Sequence, residues 1–162
     1  MTLHVELVSP ESIVYSGDAE MVILRTVGGG DIAFLDGHAP FVGALDIASA
    51  TIRTAEADER VALHGGFVEV SSRPVAGSGS PEGSAAPTTG ATPGSDERAA
   101  ASRTKVTILS DTAELRGDID VERARRAKQR AEQQAESERD AETETALRRS
   151  QVRLVTADQA VE

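Results

Sequence analysis

The 162-residue sequence contains no cysteine and no tryptophan, and its aromatic residues are one tyrosine and three phenylalanines. Without cysteine there is no disulfide framework, no thiolate metal site and no thiol nucleophile, a pattern that fits a reducing compartment. With aromatics at 2%, a core has to be built from Val, Ile, Leu and Ala. Positive charge is also short: 17 Lys and Arg stand against 27 Asp and Glu, for a net charge of -10. Nucleic-acid binding needs clustered cations for phosphates and aromatic faces for bases, so that class is disfavoured. A partner with basic patches suits such a surface better. No apolar run approaches the ~20 residues needed to cross a bilayer, so no direct membrane insertion is expected. Met1-Thr2-Leu3-His4-Val5-Glu6-Leu7 lacks a basic flank before an apolar stretch and does not read as a signal peptide. The expectation is a soluble chain that docks, if at all, onto a membrane complex.

What is present reads first as β structure. Leu3, Val5 and Leu7 alternate with His4 and Glu6, the period-two pattern of a half-buried strand. Ile13–Tyr15 is a short second strand broken at Gly17-Asp18, and Met21–Leu24 is continuously apolar, as in a strand covered on both faces. After the Gly28-Gly29-Gly30-Asp31 turn, strands are expected at Ile32–Leu35, Ala44–Ile47, Ala50–Arg53, Val61–Leu63, Phe67–Val70 and Val106–Leu109. Asp36-Gly37-His38-Ala39-Pro40 is a tight loop. Short strands with close turn signals predict an all-β, antiparallel sandwich over 1–113.

Two further stretches differ in kind. From 73 to 104, Pro74, Pro81, Pro87 and Pro93 lie among Gly, Ser, Ala and Thr with few apolar residues. That composition predicts a disordered insertion between two strands that would otherwise be hairpin neighbours. Over 118–157 the periodicity becomes helical. Asp120 is a candidate N-cap, and Val121, Ala124, Ala127, Ala131 and Ala135 form a narrow stripe. Thr143, Leu147, Ser150 and Leu154 form a second stripe, predicting an antiparallel two-helix hairpin followed by a disordered tail at 158–162. An alanine stripe buries on the order of a third of the area that leucine would, so the hairpin should be weakly held.

Catalytic and metal-binding patterns are missing. His4, His38 and His64 lie far apart in sequence, without helical zinc spacing, and no Gly-x-Ser-x-Gly elbow occurs. Gly28-Gly29-Gly30 lacks the rest of a dinucleotide fingerprint, and Gly77 to Gly83 lacks the Lys-Ser/Thr ending of a P-loop. One sharper element is Asp120 with Arg123 and, a turn on, Arg126 or Lys128. A carboxylate and cations so spaced could grip a ribose or adenine and a phosphate. The plainer reading is an N-cap and a solvated charged face.

Four segments carry a resemblance. They are Val22–Thr26 running into Gly29–Leu35, Gly37-His38-Ala39-Pro40-Phe41-Val42-Gly43-Ala44-Leu45, Leu63-His64-Gly65-Gly66-Phe67-Val68-Glu69-Val70, and Val106-Thr107-Ile108-Leu109-Ser110-Asp111. In this order they resemble the epsilon subunit of the bacterial and organellar rotary ATP synthase. The resemblance implies a sandwich of about ten strands plus a two-helix C-terminal domain. It also implies a non-catalytic central-stalk role at the cytoplasmic face of the plasma (inner) membrane, coupling proton flow to ATP synthesis. The implied partners are the gamma subunit, the membrane c-ring and, when the arm is extended to restrain hydrolysis, the catalytic beta subunits. His38, Pro40 and Phe41 are expected partner contacts. Arg148, Arg149 and Arg153, which make the end of the second helix basic, are expected to face acidic segments of the catalytic subunits in an extended arm. Cations favoured at a helix C-terminus are the plainer reading of those three.

Ile119-Asp120-Val121-Glu122-Arg123-Ala124 matches the family's Ile/Leu-Asp-x-x-Arg-Ala motif. It implies nucleotide contact at Asp120, Arg123 and Ala124, with no cofactor required and ATP as a regulatory ligand. The insertion is not part of the usual family pattern, and Asp36 stands where the family often has proline. The alternative is a stand-alone nucleotide-sensing or scaffolding sandwich with a helical tail.

Overall fold

The computed structural model describes residues 1–74, 102–137 and 140–158. Its strands are β1 (Leu3–Val8), β2 (Ile13–Ala19), β3 (Met21–Thr26), β4 (Gly30–Leu35), β5 (Phe41–Arg53), β6 (Asp58–Pro74), β7 (Ser102–Leu109) and β8 (Ala113–Leu115). A 3-10 turn (Arg116–Asp118) leads to α1 (Val121–Ser137) and α2 (Ala141–Asp158).

The expected short strands merge. Phe41–Arg53 is one strand where two were expected, and so is Asp58–Pro74, giving eight strands among the described residues. Both long strands bend together: the ladder runs Leu45↔Gly66 and resumes at Ile47↔His64, leaving Asp46 and Gly65 at the corner. Positive φ at Gly65 (94°) and Gly66 (124°) makes the corner possible. Each long strand therefore serves both layers of the sandwich. Order β2-β1-β7-β6-β5 makes one layer from the halves beyond the corner, and β4-β3-β5-β6-β8 makes the other. Counted by layer there are ten strand segments, five in each, which reconciles the continuous strands with the count of about ten.

Two other expectations need correction. The sandwich is not wholly antiparallel, because β1 and β7 pair in parallel from His4↔Lys105 to Val8↔Leu109. All the chain between them serves as their crossover, which parallel neighbours require. Strand β2 does not break at Gly17-Asp18, since those residues pair with Val5 and His4. Gly17 there lies under the Tyr15 ring, where a Cβ would approach the hydroxyl to 3.1 Å.

The core follows from alternation. Leu3, Val5, Leu7, Val68, Val70, Val106 and Ile108 of one layer meet Val22, Leu24, Phe34, Ile52, Val61 and Leu63 of the other, all buried. Each such side chain contributes about 1.5–3 kcal/mol on burial. Met21 and Ile23 are only half-buried, so β3 is less covered than its apolar run suggested.

The β6–β7 hairpin is longer than expected at the insertion's edges: Arg73↔Arg103 and Pro74↔Ser102 are paired. The remainder of the expected insertion, 75–101, lies outside the described residues, as does the tail from 159; Asp158 still belongs to α2.

Helix α2 lies on β5 and β6, and α1 packs on α2. Val121 at the start of α1 adjoins Leu154 to Asp158 at the end of α2, so the pair is antiparallel. Ala124 and Ala131 are buried on α1, while Thr143, Leu147 and Leu154 are half-buried on α2 around buried Ser150. Asp120 and Asp140 cap the helices, accepting the Arg123 and Thr143 amides at 2.9 and 2.7 Å. The same hydrogen bond to Thr143 holds the Asp140 carboxyl below its ordinary value.

Candidate functional site

Where the hairpin meets the sandwich, the 3-10 turn, α1, β8 and α2 enclose a cavity of about 390 Å³. Its lining holds Asp120, Arg123 and Ala124, so the three residues named by the Ile-Asp-x-x-Arg-Ala segment share one pocket. Of the two further cations considered, Arg126 lines the cavity, whereas Lys128 pairs with Glu132 at 3.7 Å. Arg130 and Arg153 complete a set of four guanidinium groups, facing carboxylates of Glu114, Asp118 and Asp120. The sequence reading missed Glu114 and Arg130 as pocket residues. Arg130 sits seven residues past Arg123, two helical turns, which is a signal that spacing alone could have supplied.

Arg153 does a second job. Its Nε donates to Glu114 Oε2 at 2.5 Å, tying α2 to β8. One turn earlier on α2, Arg148 Nη2 donates to both carboxylate oxygens of Asp46, each at 2.8 Å, at the corner of β5. Two of the three arginines expected to face partners thus pair with the chain's own sandwich. Arg149 between them is exposed. These pairs supplement the thin alanine packing, each contributing about 0.5–1 kcal/mol at half-exposed positions.

The loop between β4 and β5 is built around aromatics. The His38 ring stands edge-on to Phe34 at 4.9 Å and to Phe41 at 6.5 Å between centroids. Phe41 and His38 are half-buried, and Pro40 is exposed. Gly37 N donates to Thr104 Oγ1 at 2.8 Å and the Asp36 carboxylate accepts from Thr104 N at 3.4 Å. Asp36 and Gly37 thereby fasten this loop to β7 of the β6–β7 hairpin.

The outer faces of the two layers differ. The hairpin covers one. On the other, Ala44, Phe67, Leu109 and Val8 lie in one cross-strand row over β5, β6, β7 and β1. Phe67 is 60% exposed, Leu109 48% and adjacent Val42 74%. Among the described residues no group of His, Asp and Glu is arranged to hold a metal ion, and no helix is long and apolar enough to cross a membrane.

Comparison with known proteins decides the family. Residues 2–76 match the model of the ATP synthase delta/epsilon chain β-sandwich domain. The ATP synthase epsilon chain of Streptomyces avermitilis is 33% identical over 153 residues, covering 94% of this chain and 92% of its own length. This chain belongs to the ATP synthase epsilon chain family. The epsilon chain of Brevibacillus brevis is 40% identical over 130 residues, 79% of this chain and 74% of that protein. That of Halalkalibacterium halodurans is 38% identical over 129 residues, 80% and 73% of the two chains. The fold also resembles a chain in the Euglena gracilis mitochondrial ATP synthase structure comprising OSCP, F1 and c-ring, with TM-score 0.65 and 17% identity, over 93% of this chain and 78% of that one. The alignment to the Streptomyces relative covers nearly the whole chain, so it extends past the sandwich into the helical hairpin.

Proposed function

We propose that this chain is a non-catalytic central-stalk subunit of the proton-translocating ATP synthase. It binds the gamma subunit and the c-ring at the cytoplasmic face of the membrane and helps couple proton flow to ATP synthesis. The observation that carries this reading is the bare apolar row Ala44–Phe67–Leu109–Val8, with Val42 beside it, on the layer opposite the hairpin. Exposed aliphatic and aromatic side chains clustered across four strands suit a protein partner. The sandwich end bearing His38, Pro40 and Phe41 serves as a second contact of the rotor.

Phe67→Asp tests this. Residue 67 points outward, so the variant should keep its thermal midpoint, while affinity for purified gamma subunit falls at least tenfold and on the order of a hundredfold. Unchanged affinity would remove the row from the interface.

The pocket supports a regulatory addition: it binds ATP. Four guanidiniums suit a polyphosphate, and the carboxylates can accept from ribose hydroxyls or the adenine amino group. Because Arg153 reaches the pocket from α2 and the others from α1, a ligand held by both favours the folded hairpin by mass action. Released from Asp46 and Glu114, Arg148 and Arg153 join Arg149 as cations free to face acidic segments of the beta subunits, where the arm restrains hydrolysis. Isothermal titration of the chain with ATP should show one site that Arg123→Ala weakens; absence of heat at millimolar ATP would end the nucleotide reading.

A further inference from the structure

Beneath α2 a histidine is buried without a hydrogen-bond partner. The His64 side chain is 1% exposed, and neither ring nitrogen is bonded among the described residues. Its Nε2 stands 3.7 Å from Glu114 Oε2, beyond hydrogen-bond reach. Arg153 already holds that oxygen at 2.5 Å. Histidine from the sandwich and arginine from the arm thus stand at the same carboxylate oxygen.

The charged groups acting on the imidazole come from two elements. Strand β8 supplies Glu114; α2 supplies Arg153 and Arg149. Strand β5 places uncharged Ile47 opposite it in register. Burial is the largest influence, then Arg153, and together with Arg149 they lower the His64 pKa to about 4 against the opposing pull of Glu114.

We propose that His64, Glu114 and Arg153 form a proton-operated latch, in which a protonated His64 takes the Glu114 carboxylate, frees Arg153 and loosens α2 from the sandwich. The inference rests on reading the hairpin as an arm with a docked and an undocked position. Undocking exposes the ring to water and removes both arginines while leaving Glu114, so the undocked pKa returns to about 6.5 or above. The proton therefore binds more tightly to the undocked form. Docking is fully favoured above about pH 6.5 and weakens as the pH falls from there toward about 4. The docking equilibrium shifts by on the order of a hundredfold across that window.

The absence of native cysteine makes the test clean. In the full chain, Glu56→Cys and Gln151→Cys carry a label pair reporting the distance from the sandwich to α2. Labels are read from about pH 8 to about pH 4.5. The Arg148→Glu/Arg153→Glu variant, which breaks both ion pairs, serves as the control for arm movement. The expected result is an undocked fraction that grows on acidification in the parent chain and stays flat in His64→Gln. The His64 imidazole resonance should titrate well below its ordinary range in the parent and rise toward it in the control variant. If His64→Gln undocks with the same pH profile, or the resonance titrates normally in the docked chain, the latch is overturned. If the parent is flat with pH while the control variant undocks, the latch fails and the movable arm stands. If neither moves, both fail.

Discussion

Gly66→Ala should destabilise the sandwich severely, and Gly65→Ala beside it should not. Gly66 sits where β6 turns from one layer into the other, at φ 124°. A Cβ there would lie 2.0 Å from the Leu109 carbonyl oxygen and 2.9 Å from Ser110 Cα, so a backbone segment must move by more than an ångström. That displacement strains the Ser110 Oγ to Gly65 O hydrogen bond of 2.7 Å and the Phe67↔Leu109 pairing next to it. Left-handed strain adds about 1–3 kcal/mol, and a disturbed hydrogen bond about 1 kcal/mol more. A total of about 2–4 kcal/mol would remove a large part of an ordinary domain's stability. Gly65, at φ 94°, has its nearest neighbour, the Leu45 carbonyl oxygen, at 3.7 Å and bears only the conformational cost, about 1–2 kcal/mol. Urea unfolding of both variants, followed on sandwich amides, separates the two effects. Equal losses of stability would show that the close approach of β7 to Gly66 is not what requires glycine.

Arg148→Ala removes both contacts to Asp46 and should cost about 0.5–1 kcal/mol of hairpin docking, seen as faster amide exchange in α2 with sandwich amides unchanged. Asp120→Ala should fray the first turn of α1 by about 1 kcal/mol while Asp120→Asn keeps the cap, read from exchange at the Arg123 amide. The hydrogen bond from Arg25 holds the Asp31 carboxyl below its ordinary value. Its contribution to stability is present above about pH 4 and lost as pH falls through the folded-state value. Asp31→Asn should therefore make stability at neutral pH slightly lower and the acid limb shallower, measured by denaturant midpoints against pH.

The local parts of this fold were legible because they repeat within one element. Alternation at Leu3, Val5 and Leu7 located β1 and its buried face. Three- and four-residue spacing located both helices, and Asp120 proved to be the N-cap its position implied. The corner of β5 and β6 was not legible as a continuous bend. Gly65 lies between the two segments expected in β6, but in β5 the break was expected at Ala48-Ser49, whereas the bend falls at Asp46, inside the segment expected at Ala44–Ile47. The hairpin's fastening was hidden for a different reason. Arg148 and Asp46 are 102 residues apart, and Arg153 and Glu114 are 39 apart, distances over which no spacing rule operates. His64 likewise reads as a turn or surface histidine just past Val61–Leu63 until a helix is laid across its face. In the pocket, the motif identified Asp120, Arg123 and Ala124, while only the packing of α2 against β8 brings in Arg153.

The most direct test of the stalk reading is ATP-driven proton pumping by the assembled synthase in membrane vesicles, with and without this chain and with Phe67→Asp in its place. The account predicts that hydrolysis continues without the chain while pumping per ATP collapses, and that Phe67→Asp at limiting concentration behaves like its absence. Full pumping per ATP in a synthase lacking the chain would contradict it.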